Sequence, residues 1–407
     1  MTLSNMLRRS IVGVGLTIGM AIVPVGGVAQ GVSPFGGATS PAGEATPVAA
    51  ASVTWEIVET REIEVEGMPV ALSPDGQWIA GTGRDWELCV WEIETLEPTC
   101  AEPGNYQVDP EALVWSPDSR AVAFTQDTAR RLIDSDLYVF ELETGQLGNL
   151  TDDGFDGRLP LNPEHGEPVP VLIDLGPTWA PDSQSIAFGR SFWTAEERGA
   201  QQPQILRIDR AGGEPQVLAE LTTESPWGVM YPMFEVAGGT LVFAISTADP
   251  NNSNEGIWML EAGGEPIQIV AGTGLADFPY ARAVDATNSP DGVLISGWSI
   301  SLAGQGMGLE PYAFVANAES GDVETLGPGM TPVRFGPDGV STIAIVVEGN
   351  DGVLTVTAPD GEVSSMGPVP RSRFEQTRGL DWASNNTVFL CSGLSSGHLV
   401  TLAPVAA

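Results

Sequence analysis

The side chains best suited to hold a ligand in this sequence are aromatic rings and arginines in polar stretches between strand-like runs. They are Arg158, His165, Arg190, Phe192, Trp193, Trp227, Phe278, Tyr280 and Trp298. A flat ring covers the apolar face of a sugar or a peptide side chain, and a guanidinium adds charge and directed donors. The competing reading is packing, because large side chains in connecting segments often seal a loop onto the body beneath. Arg158, His165, Arg190, Trp193, Trp227, Tyr280 and Trp298 form the candidate binding set.

Three further patterns touch on chemistry. In Asp249-Pro250-Asn251-Asn252-Ser253-Asn254-Glu255 the oxygen-bearing residues Asp249, Asn251, Ser253 and Glu255 alternate, as ligands do in calcium loops. The central Gly and the downstream Glu of an EF-hand are missing, so an Asn-rich turn competes with a calcium site. Asp152-Asp153-Gly154-Phe155-Asp156 has the same two readings. Gly393-Leu394-Ser395-Ser396-Gly397 matches G-x-S-x-G, but that elbow sits between a strand and a helix and needs a later acid and His. Here His398 follows at once and the chain is nearly over, so the pattern reads as a tight turn.

Three Cys and two distant His make no zinc signature. Cys89 and Cys100 flank a hairpin centred near Glu94-Thr95, which sets them opposite each other for a disulfide. Closing so short a loop is worth about 2–3 kcal/mol on the loop-entropy account. Cys391 lies in a strand-like run and reads as a buried thiol.

The elements that must position these residues are announced by a recurring phrase. A Pro-Asp turn precedes a short apolar run at Ser73-Pro74-Asp75-Gly76, Ser116-Pro117-Asp118-Ser119, Ala180-Pro181-Asp182-Ser183, Ser289-Pro290-Asp291-Gly292 and Gly336-Pro337-Asp338-Gly339. Degenerate versions stand at Ala237-Gly238-Gly239 and Ala383-Ser384-Asn385-Asn386. Seven repeats of this length predict a seven-bladed β-propeller with four antiparallel strands, a to d, per blade. Asp and Gly suit the a–b turns because they bond their own backbone or accept positive φ. Too few residues follow the last strand c for a strand d, whereas Val53–Val65 is a spare strand-like segment at the start. Docking Arg61–Val65 beside the last strand c closes the ring and removes exposed edges.

The a–b and c–d turns share one face and are nearly all tight. The opposite face receives the long segments: Thr151–Pro177, Thr222–Tyr231 and Ala271–Ala281 between blades, and Gly189–Pro203, Ser246–Glu255 and Gly297–Pro311 between strands b and c. Long ordered loops tend to carry function, so the site is expected there.

Residues 1–30 read as an export signal, with Arg8 and Arg9 ahead of an apolar run and Gly27-Val28-Ala29 as a cleavage site. An uncleaved membrane anchor is the alternative. Residues 31–52, rich in Ala, Pro, Gly, Ser and Thr, read as a disordered linker, leaving 53–407 for the propeller. The 53 acids outnumber the 17 bases, and every base is Arg. That balance excludes nucleic acid, which needs phosphate neutralisation, and anionic lipid surfaces.

The S-P-D-G phrase, the preceding Trp115 and Trp179, the following Ile186-Ala187-Phe188, and Leu137-Tyr138-Val139-Phe140-Glu141-Leu142-Glu143-Thr144-Gly145 resemble the TolB-like, WD-repeat-like β-propellers of bacteria. The likeness covers most of 53–405. It implies a fold shared by periplasmic scaffolds, propeller halves of prolyl-oligopeptidase-type peptidases, and some lyases. Lyases of this group hold a metal with clustered His, and this chain has only His165 and His398. The expectation is an exported, monomeric, non-catalytic propeller that needs no cofactor, calcium aside, and binds a protein or glycan partner outside the cytoplasm. The alternative is a carbohydrate-active enzyme, a lyase or glycosidase, using loop carboxylates.

Overall fold

The computed structural model describes residues 53–406, apart from 102–106, 111, 127–134, 155–170, 195–198, 221–228, 247–253, 272–281, 290–291, 302–309, 329–332, 349–350, 359–360, 370–379 and 393–394. Ala50–Ala407 form one compact unit. The chain opens with β1 (Val53–Glu64). Blade one is β2 (Met68–Leu72), β3 (Trp78–Thr82), β4 (Leu88–Glu92) and β5 (Pro98–Cys100). Blade two is β6 (Val114–Trp115), β7 (Ala121–Thr125), β8 (Leu137–Glu141) and β9 (Gln146–Asn149). Blade three is β10 (Val171–Trp179), β11 (Ser185–Thr194), β12 (Gly199–Asp209) and β13 (Gln216–Glu220). Blade four is β14 (Val229–Val236), β15 (Thr240–Ser246), β16 (Gly256–Leu260) and β17 (Ile267–Ala271). Blade five is β18 (Arg282–Ser289), β19 (Gly292–Ser301), β20 (Glu310–Asn317) and β21 (Val323–Pro328). Blade six is β22 (Arg334–Phe335), β23 (Thr342–Glu348), β24 (Asp351–Thr357) and β25 (Val363–Val369). Blade seven joins β26 (Leu380–Trp382), β27 (Thr387–Cys391) and β28 (Ser396–Ala406) to β1 in the order β26-β27-β28-β1. Every sheet is antiparallel and four-stranded, as the repeats imply. Strands β11/β12 and β19/β20 run on into two of the segments read as b–c loops.

The Pro-Asp phrase works through its side chains. In blade two the Ser116 hydroxyl donates to Asp118 Oδ1 at 2.6 Å and accepts from the Ala121 amide at 2.9 Å. Asp118 Oδ1 also accepts from the Arg120 amide at 3.1 Å. Blade one repeats this with Ser73, Asp75 and Gln77. The fourth turn residue is left-handed: Gly76 has φ 69° and Gly339 φ 70°, but Ser119 has 59° and Ser183 62°. A non-glycine residue there costs about 1–2 kcal/mol. The two serines use the position to tie blades together. Ser119 Oγ accepts from the Asp75 amide at 3.1 Å, and Ser183 Oγ from the Asp118 amide at 3.0 Å. Ser384 completes the seam between blades seven and one by donating its amide to Pro74 O at 2.8 Å.

Aromatic rings on the middle strands, among them Phe124, Phe140, Phe188, Phe243, Phe314 and Phe389, are fully buried. Trp115 and Trp179 face the preceding blade, donating Nε1 to Ala71 O at 3.1 Å and Val114 O at 3.3 Å. Cys89 and Cys100 pair directly across β4 and β5 and are disulfide-linked; Cys391 is a buried thiol.

Closure uses far more of β1 than Arg61–Val65. Eleven residue pairs, from Val53↔Ala406 to Glu64↔Ser396, join β1 to β28. One extra residue interrupts the register between Ile57 and Glu59. Side chains alternate along a strand, so a one-residue bulge moves the apolar set to the other face. Trp55 and Ile57 accordingly join the core that holds blade six's Ile343, Ile345 and Leu354. Ile63 joins blade one's Leu72, Ile79 and Trp91.

Ser183→Ala keeps the left-handed strain and loses the bond, so stability to chemical denaturation falls by about 1 kcal/mol. Ser183→Gly loses the same bond but sheds strain of similar size, so it comes out near wild type. Replacing Cys89 and Cys100 together by Ala lowers unfolding stability by about 2–3 kcal/mol, read from denaturant midpoints at equal slope.

Candidate functional site

The seven inner strands enclose an axial cavity of about 640 Å³ that reaches the rim of the a–b turns at Pro74, Pro117, Pro337 and Ser384. Its wall carries Trp115, Trp179, Phe234, Phe335 and Trp382. The charged wall residues are Glu235, Asp285, Arg334 and Asp381. Each has apolar residues on both sides in sequence, and each is engaged by the framework.

Asp285 on blade five accepts the amide of Phe335 on blade six at 2.7 Å, and of Ala286 at 2.9 Å. Arg334 on blade six donates Nε to Leu380 O of blade seven at 2.8 Å and a terminal nitrogen to Val284 O of blade five. Asp381 on blade seven stands 3.9 Å from Arg334 and accepts the Leu72 amide of blade one at 3.0 Å. A negative, positive, negative sequence thus stitches blades five, six, seven and one around the axis. Burial pushes Asp285 up to about 6, against the lowering pull of Arg334 and the two amides. Glu235 is ion-paired to Arg207 of blade three, and burial still raises it.

Arg190 is the one charged residue of the candidate binding set that falls among the described residues. It lies in β11 and forks onto Asp174 of β10, Nε to Oδ1 at 2.7 Å and a terminal nitrogen to Oδ2 at 2.8 Å. Its guanidinium also lies 5.3 Å from the Phe188 ring. The guanidinium therefore braces β10 against β11. Trp193 occupies a strand position opposite Val171 and Ala200, and Trp298 one opposite Arg282 and Ala313. Arg158, His165, Trp227, Tyr280, Asp249, Asn251 and Ser253 lie outside the described residues. Glu255 is buried, and its carbonyl accepts from Gln268 Nε2 at 3.0 Å.

Near Asp174 stands Asp136, a buried carboxylate that accepts from Asn149 Nδ2 at 2.7 Å. Burial raises Asp136 to about 6; the Asn149 bond opposes this, and Asp174, Asp153 and Asp152 add repulsion. The sequence reading passed over Asp136, Asp174, Asp285, Arg334 and Asp381. For all but Asp136, which follows Asp134-Ser135, the signal is a lone charge between apolar neighbours, as in Leu172-Ile173-Asp174-Leu175 or Leu380-Asp381-Trp382.

No protein-family model matches the chain, and no curated protein sequence does. Among solved structures, TolB from Acinetobacter baumannii is similar over 75% of this chain and 65% of its own length, at 16% identity and TM-score 0.43. An oligogalacturonate lyase from Vibrio parahaemolyticus is similar over 86% of this chain and 97% of its own, at 12% identity and TM-score 0.51. A chain of the mitotic checkpoint complex is similar over 91% of this chain and 98% of its own, at 10% identity and TM-score 0.51. The likeness is one of fold alone, and the chain is an all-β, seven-bladed propeller.

The carboxylates set the response to pH. Asp136 and Asp285, raised to about 6, hold protons more tightly folded than unfolded. Their contribution is fully present below the unfolded value near 4 and is lost as pH rises through about 6. Asp118 and Asp338 have the opposite sign. Burial would raise them, but hydrogen bonds from Ser116, Arg120 and Arg210 to Asp118, and from Ser341 and Val340 to Asp338, outweigh it. Their contribution is lost as pH falls below the ordinary carboxylate range. The thermal midpoint should therefore be higher at pH 5 than at pH 7.5. Asp136→Asn should raise the midpoint at pH 7.5 and flatten the difference.

Proposed function

We propose that this chain is an exported, non-catalytic propeller that binds a protein or glycan partner outside the cytoplasm through the face bearing its long connections. The observation that carries this reading is the inequality of the two faces. The a–b turns are tight, and Asp75, Asp118 and Ser384 bond across their seams. At the opposite ends of the blades the sequence between strands is longer, as from the end of β9 at Asn149 to the start of β10 at Val171 and from β17 at Ala271 to β18 at Arg282. Trp193 and Trp298 lie in the far halves of β11 and β19, toward that side, and on this reading Arg158, His165, Trp227 and Tyr280 of the connecting sequence join them in the binding set. The binding reading is also favoured by the cavity wall, where Glu235, Asp285 and Asp381 already serve Arg207 and backbone amides.

The second reading is a carbohydrate-active enzyme with loop carboxylates; the likeness in fold to a lyase motivates it. Calcium held by Asp249, Asn251, Ser253 and Glu255 would order one connection of the same face.

The test is the thermal midpoint of the purified chain with calcium, and with a panel of glycans and peptidoglycan fragments. A ligand at 100 times its Kd stabilises the native state by about 2.7 kcal/mol. The expected result is a rise with one ligand class that Trp193→Ala with Trp298→Ala abolishes, without turnover of that ligand. Turnover lost on truncating His165 or the loop acids would replace binding by catalysis. A panel without effect, together with no partner recovered by cross-linking, would overturn the proposal.

A further inference from the structure

The outermost strands of a propeller are its free sheet edges, and six of the seven are blunted. Strands β9, β13 and β17 have only 4 or 5 residues, and β5 has 3 with Pro98 at its start. Strands β21 and β25 carry Pro328 and Pro368, which cannot donate to a further strand. Strand β1 differs: it has 12 residues with neither Pro nor Gly. Its first part leans on blade six, where the Trp55 amide reaches Ser364 Oγ at 3.5 Å. Val58–Glu64 continues beyond that contact.

The ladder fixes which amides of this stretch face outward. Trp55 opposes Pro404, which has no N–H, and Leu402 donates away from β1, to Asn386 O at 3.0 Å. Every second residue of β28 therefore turns its amide from β1, and the pairs Thr60↔Val400, Glu62↔His398 and Glu64↔Ser396 are the non-bonded ones. At the other end the Val65 amide donates inward, to Ser395 O at 2.9 Å. The amides and carbonyls of Thr60, Glu62 and Glu64 are thus presented outward. Glu62 and Glu64 share one exposed face, with Glu59 exposed on the other and Val58 61% exposed at the bulge. Arg61, the one base of β1, is turned to Ile93 O of blade one.

We propose that Val58–Glu64 is a strand-addition site that accepts an extended segment of a partner protein bearing a base at every second position. Main-chain bonds to Thr60, Glu62 and Glu64 supply the pairing, and Glu62 and Glu64 select the charge. A second copy of this chain does not fit, because antiparallel pairing of two β1 edges sets their glutamates against one another. This surface is separate from the long-connection face, so it stands or falls independently of the reading above.

The test measures binding of a labelled peptide, acetyl-Lys-Val-Lys-Val-Lys-Val-Lys-amide, to the purified chain by fluorescence anisotropy at low salt. The expected result is saturable binding that weakens with salt. It falls about tenfold or more when alternate amides of the peptide are N-methylated, and it is absent for the peptide with Glu in place of Lys. Glu62→Lys with Glu64→Lys should reverse the preference, so that the variant takes the Glu peptide and loses the Lys peptide. That reversal also shows the variant to be folded. No binding of the Lys peptide, equal binding of its N-methylated form, or a preference unmoved by the double variant would overturn the proposal.

Discussion

A ring of sheets depends on one constraint: the last blade must meet the first. Each blade buries apolar side chains against both neighbours, so an unclosed ring would leave two such faces in water. Here the ladder between β1 and β28 satisfies the constraint. Its register matters as much as its length. The bulge at Val58 lets a single strand place Trp55 and Ile57 against blade six and Ile63 against blade one. Without that bulge Trp55, Ile57 and Ile63 would all lie on one face, and the other seam would receive glutamates.

Polar groups then fix the seams that apolar packing alone would leave free to slide. On the rim, hydroxyls of Ser119 and Ser183 accept from the turn of the blade before. Around the axis, Asp285, Arg334 and Asp381 reach backbone groups of adjoining blades. The axial bonds are charge-assisted in a shielded setting, so the Asp285 carboxylate stands between two opposing effects. Burial disfavours its charge, and its donors favour it. The balance falls differently at Asp285 and at Asp118, which gives the protein carboxylates of opposite response within one ring.

Much of the fold was legible because it is written locally. The Pro-Asp turn needs only four or five consecutive residues to make its bonds, so Ser116 to Ala121 can be read from the letters. Counting strands against the remaining chain was enough to assign β1 to blade seven. The bulge was not legible, because it answers to what lies on either side of blade seven. The axial stitching was equally hidden: the Leu72 amide and the Asp381 carboxylate are 309 residues apart in sequence. Arg190 shows the same limit for the site. Its place in a connection near aromatics suggested a ligand contact, whereas its partner Asp174 lies on the neighbouring strand. The residues that would decide the long-connection face, from Arg158 to Tyr280, belong to segments with little strand pattern of their own.

Strand β1 is the first element of the propeller to be synthesised, and its partner β28 is the last. Their pairing spans nearly the entire folded chain, so its loop-closure cost is among the largest that this topology can impose. During synthesis the first strand must wait, unpaired, while six complete blades form behind it. Ring closure is therefore a terminal event on the folding route. Until then the nascent chain carries an open β1, with Glu56, Glu59, Glu62 and Glu64 along it.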